Sequence, residues 1–120
     1  MATVAKKGEW VSKGVYKTTW EFITDVNKDG DPETAPALSE KSVHLEGDFG
    51  GGTIVIQGRN DTSATFVNMV DPQGNALSFA TMAVETILDN MLQIRPFMSA
   101  TGASAATGVR VTIISRSTLR

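Results

Sequence analysis

An all-β fold, a single-domain antiparallel β-sandwich or jelly-roll-like barrel with an N-terminal arm, is predicted for this chain from three observations. Apolar and polar residues alternate with period two in short runs, as in half-buried strands. Those runs are rich in Val, Ile, Thr and aromatic residues, which fit a pleated surface. Clusters of Gly, Asn, Asp and Pro separate them at short intervals. At 120 residues the chain suits one domain with one core.

Residues 1–14, "MATVAKKGEWVSKG", carry Lys6, Lys7 and Lys13, with Trp10 as the large apolar group. Such a segment buries too little surface to fold alone. It is expected to be an arm, loosely held in the free protein, ahead of a sandwich spanning residues 15–120. The other reading is that Trp10 and Val11 begin an ordinary first strand.

In "VYKTTWEFIT", residues 15–24, Tyr16, Thr18, Trp20 and Phe22 share one parity, and Trp20 and Phe22 are the expected core pair. A polar loop follows. Its start, "DVNKDGDPETAP", spells the opening of a calcium loop with Asp25, Asn27, Asp29 and Gly30. An EF-hand closes with a bidentate Glu at loop position twelve. Here that position is Pro36, which has no side-chain oxygen. A solvated turn is expected instead, with no metal.

"KSVHLEGDF" sets Val43 and Leu45 against Ser42, His44 and Glu46. "GDFGGG" is read as a hairpin turn using positive φ. "TIVIQG" puts Ile54 and Ile56 on one face, "RNDTSA" is a turn, and "TFVNMV" is the next strand. "DPQGN" is a strong turn signal, and "ALSFA" pairs Leu77 with Phe79. The apolar residues of "TMAVETILDN", namely Met82, Val84, Ile87 and Leu88, fit a helical turn or an irregular strand, and an extended or short mixed element is preferred. "MLQIRPFMSA" alternates Ile94, Pro96 and Met98 against Gln93, Arg95 and Phe97. Pro96 lacks a donor, which places this strand at an edge or at a bulge. "TGASAATG" is a small-residue loop, and "VRVTIIS" is the last strand. The predicted core is Trp20, Phe22, Val43, Leu45, Ile54, Ile56, Leu77, Phe79, Ile94 and Val111.

Chemistry is sparse. The net charge is −2, so there is no global basic field for nucleic acid. Aromatics interleaved with basic residues come nearest at Trp10, Tyr16 and Trp20 with Lys13 and Lys17, where core packing is the simpler reading. No run approaches the roughly 20 apolar residues that span a bilayer, and "MATVAKKGEW" lacks the apolar stretch of a signal peptide. Cysteine is absent and His44 is the single histidine, which excludes zinc sites of the Cys/His type. Asp48, Asp61, Asp71 and Glu85 could be paired on paper as glycosidase carboxylates, but each falls in or beside a turn. "GDFGGG" fits neither phosphate-binding glycine motif. The expectation is a non-enzymatic binding or structural module with no cofactor and no nucleic-acid or membrane partner.

The order of motifs adds a family. "SVHLEGDFGGGTIVIQGRND", then "DPQGNALSF", then "IRPFMSA", then a short final strand resembles a group of small tailed-bacteriophage virion proteins of similar length. Their layout has a G-S-N-D turn after a V-x-I-x-G strand. Gly58, Asn60 and Asp61 match it, Arg59 stands where the Ser would be, and the aromatic that follows falls at Phe66. The resemblance covers residues 20–116. It implies a virion structural protein of the capsid cement or decoration type. Such a protein would be made in the bacterial host cytoplasm and bound to the capsid exterior, often as a trimer, cross-linking major capsid protein subunits. Under that reading Lys6, Lys7, Trp10 and Lys13 are the candidate partner-binding residues, with the arm adding to a partner's sheet edge. The alternatives are a carbohydrate-binding module of a tail or fibre, using Trp10, Asp71 and "GRNDTS", and a tail or head–tail connector component.

Overall fold

The structure, a computed structural model, describes residues 3–22, 28–34, 36–49, 52–99 and 108–117. Eleven strands are found there and no helix. They form two open sheets packed face to face, a β-sandwich and not a closed barrel. One sheet has the order β1 (Thr3–Val4), β4 (Lys28–Gly30), β10 (Gln93–Ser99), β6 (Thr53–Arg59) and β7 (Val67–Asn68), with β8 (Ser78–Phe79) also on β6. The other runs β2 (Lys6–Ser12), β3 (Val15–Phe22), β11 (Gly108–Arg116), β5 (Glu40–Asp48) and β9 (Ala83–Ile87). All pairings are antiparallel except the short β1–β4 contact.

Period-two alternation builds the core. Trp20 and Phe22 of β3, Val43 and Leu45 of β5, and Val109, Val111 and Ile113 of β11 point inward from one sheet. Ile54 and Ile56 of β6 with Ile94 and Met98 of β10 meet them from the other. Leu77, Phe49, Met69 and Ile87 complete the buried set. Of the predicted core only Phe79 is half-buried, because it lies on the two-residue strand β8. Residues 83–87 are extended.

Two expectations need correction, and the choice between edge and bulge at Pro96 is decided. "GDFGGG" makes no hairpin: β5 and β6 lie in different sheets, so the segment crosses the sandwich, with Phe49 buried in the crossing and Gly50 and Gly51 outside the described residues. Pro96 is not on an edge strand, since β10 lies between β4 and β6. It sits where two β10 residues face three on the neighbouring chain, between the Ile94↔Glu33 and Phe97↔Asp29 pairs, so the missing donor falls at a bulge. The second correction concerns residues 1–14. Far from standing apart from residues 15–120, β2 pairs with β3 from Lys6↔Trp20 to Ser12↔Val15. A chain too poor in apolar residues to fold alone is held because β3 offers it a ladder of backbone partners.

Among the described residues four polar side chains are buried: Thr18, Glu33, Lys41 and Ser115. Thr18 Oγ1 donates to Glu33 Oε2. Lys41 Nζ donates to Leu38 O and to Asn90 Oδ1, each at 2.7 Å. Burial lowers the Lys41 pKa, and the nearby Glu33 carboxylate opposes that shift.

Candidate protein-docking edge

β2 is the end strand of its sheet and, among the described residues, pairs only with β3. Every residue from Lys7 to Ser12 is exposed. Its placement rests on contacts that do not use a core side chain. Lys6 Nζ reaches across to Pro32 O at 2.6 Å. Lys17 pairs with Glu9 at 3.0 Å. Tyr16 lies across Gly8, where a Cβ would overlap the Tyr16 hydroxyl, so only glycine admits this packing. Gly14, at φ 75°, then turns the chain into β3.

Trp10 stands against Tyr16 with ring centroids 5.0 Å apart and planes at 70°, an edge-to-face pair. The Trp10 side chain remains 62% exposed. Beside it opens a groove of about 390 Å³, lined by Trp10, Tyr16, Glu33, Thr34, Pro36, Ala37 and Leu38. The far wall is fixed, because Lys41 holds Leu38 O and Asn90 Nδ2 holds Pro36 O. Glu33 lies at the base, only 7% exposed and turned to Thr18.

The four candidate residues therefore divide. Trp10 walls the groove. Lys13 lies exposed in the turn after β2. Lys7 is on the outer face, in a shallow concavity of about 500 Å³ with Lys17, Glu21, Glu46 and Arg110. The charges there are largely matched, since Arg110 pairs with Glu21 and Glu46. Lys6 faces the other way and donates to Pro32 O.

The other candidate groups also find places. Asp61 Oδ1 accepts from Ser63 N and Oγ, each at 2.9 Å, and the backbone bond above all holds its pKa low. Asp71 Oδ1 accepts from Gln73 N and Asn75 N. Both carboxylates are turn-forming groups. Glu85 is on β9 and Asp48 ends β5. His44 is exposed opposite Val84 and Thr112. Asp25 and Asn27 lie outside the described residues, and Asp29 pairs with Arg95 at 3.1 Å. Among the described residues no group of three or more His, Asp or Glu is arranged to hold a metal.

Two surface features escaped the sequence reading. Phe66 carries the guanidinium carbons of Arg59 and Arg95 at 4.2 and 4.0 Å from its ring centre. Gln93, Gln57 and Asp29 bond the same guanidinium groups, so the stack fastens the turn after β6 to its sheet. Beside β9, Met82, Val84 and Leu88 are 64%, 70% and 62% exposed. Strand alternation separates them from the buried Ile87, a distinction invisible while a helical turn was an option.

Comparison of the chain with protein families, with characterised proteins and with solved structures finds no match.

Proposed function

We propose that this protein is a non-enzymatic structural component of a tailed-bacteriophage virion, a cement or decoration protein that binds the outer surface of the major capsid protein shell as a homotrimer. The observation that carries the reading is the open, exposed edge of β2 with the Trp10 groove beside it. A rigid sandwich bearing an unpaired strand suits a protein whose work is to hold other proteins together. The motif layout over residues 20–116 supplies the virion context.

The test is sedimentation of the purified protein with assembled capsid shells. Comigration is expected, with shells that open at a higher temperature, and Trp10→Ala should weaken binding roughly tenfold or more. A protein left at the top of the gradient rejects the reading. One observation favours a second: Trp10 is 62% exposed beside a groove that Thr34 and Tyr16 also line, as a sugar-binding site of a tail or fibre module would have an exposed aromatic. Trp10-dependent binding on a glycan array, without shell binding, would select it.

A further inference from the structure

We propose that the open edge of β2 takes an extended acidic segment of a partner protein as an added strand of the five-stranded sheet. This deepens the docking role proposed above and reverses the direction expected for an arm: the protein supplies the edge, and the partner supplies the strand.

Three properties of β2 point that way. First, alternate residues of an end strand turn their N–H and C=O groups away from the sheet, and only another extended chain satisfies a row of them together. Native edges are commonly blocked by proline, by inward charges or by bulges. β2 contains no proline, and its inward-facing Lys6 is already bonded to Pro32 O. Its one irregularity falls between Trp10 and Ser12, which leaves Lys6 to Trp10 regular for pairing.

Second, the groove lies on the inward parity of this edge. Gly8 and Trp10 share that parity, being paired with Thr18 and Tyr16. Residues of an added strand opposite them would turn towards Trp10, Tyr16, Pro36 and Leu38. A volume of about 390 Å³ accommodates a large apolar side chain. The Glu33 carboxylate is turned to Thr18, so the walls that meet the newcomer are mainly apolar.

Third, the charged side chains of β2 and its turn that lack an ion pair among the described residues, apart from the carbonyl-bonded Lys6, are lysines. Glu9 is paired with Lys17, whereas Lys7 and Lys13 enter no ion pair among the described residues. Residues of the added strand on the outward parity would lie by Lys7, and a carboxylate there meets an ammonium that has no ion-pair partner among the described residues. Acidic residues alternating with apolar ones are therefore the expected pattern, recognised by backbone pairing for affinity and by the groove for specificity.

The experiment selects from a displayed library of random linear peptides against the immobilised full-length protein, then maps the enriched peptides by amide-resolved NMR. Peptides alternating apolar and acidic residues should be enriched and should perturb the amides of Lys6 to Trp10. Trp10→Ala and Lys7→Glu should each weaken them roughly tenfold, and about 0.5 M salt should weaken them several-fold. The proposal is overturned if no linear peptide is enriched, if enriched peptides bind Trp10→Ala equally well, or if the perturbed amides lie on β9. Since no capsid protein enters this assay, its failure is read separately from a failure of shell binding.

Discussion

The two ends of the five-stranded sheet solve the problem of being an edge in different ways. β9 is anchored from within: Ile87 is buried in the core and Ala83 packs against it, while Val84 stays outside. β2 places no side chain in the core and is held by a lysine–carbonyl bond, an exposed ion pair and a tyrosine laid across a glycine. One edge is part of what stabilises the sandwich. The other is fastened on with its backbone groups and an aromatic ring left accessible. A strand that contributes little to the core is one on which sequence is constrained by what it touches outside, which is why β2 is the better candidate for function.

Truncation on each edge should expose this asymmetry. Ile87→Ala removes a fully buried side chain and should cost roughly 2–5 kcal/mol. Trp10→Ala removes a larger side chain from a mostly exposed position and should cost about 1 kcal/mol or less. Urea denaturation of both variants measures the gap. Equal losses would mean that β2 is as much part of the fold as β9.

A more selective perturbation of β2 is Gly8→Val. A Cβ at this position overlaps the Tyr16 ring, so Tyr16 must swing away and give up its contact with Trp10. Because Tyr16 is half-buried and can move, the expected cost is about 1–2 kcal/mol, at the low end of overpacking. Peptide and shell binding should fall further than stability does. Full binding in this variant would remove the Trp10–Tyr16 corner from the docking surface.

On the β9 side the titration of Lys41, which pairs in register with Ile87, gives a pH signature. Burial lowers its folded pKa below the ordinary 10.5. Between that lowered value and 10.5 the unfolded chain binds more protons than the folded one. Stability therefore rises with pH through this window and carries the burden of the buried charge below it. Against Lys41→Met, which lacks the titration, the wild type should gain stability as the pH rises towards 10.5. Parallel urea midpoints for the two proteins across that range would show that the ammonium is not desolvated.

How much of this was legible in the chain depended on what alternation encodes. Trp20 with Phe22, Val43 with Leu45, and Ile54 with Ile56 are buried on the parity read from their runs, because burying one face of a strand writes its period into the residues. β2 has no such record: it is placed by backbone pairing with β3 and by contacts of Lys6, Gly8 and Glu9 with residues distant in the chain or on β3, none of which writes a period into its residues. The burial of Glu33 and Lys41 has no local signal, since their partners, Thr18, Leu38 O and Asn90, are distant in sequence or lie in the backbone. The Trp10 groove needs Glu33, Thr34 and residues 36–38 brought beside Trp10, and no local pattern announces that.

The smallest expected change in stability comes from Val84→Lys. Val84 is 70% exposed and faces outward beside His44, so a lysine there loses little burial and should alter stability by no more than about 0.5 kcal/mol. Its effect should appear in assembly. Met82, Val84 and Leu88 put exposed aliphatic groups along an open edge, and lysine is a residue that natural edges use to prevent strand addition. If the homotrimer is joined through this edge, sedimentation velocity will show Val84→Lys shifted towards monomer and Trp10→Ala unchanged. The opposite pair of results would exchange the roles of the two edges, giving self-association to β2 and leaving β9 for the foreign partner. A monomer in all three proteins would take self-association in solution out of the proposed reading and leave a single adhesive edge, β2, to be tested against the shell.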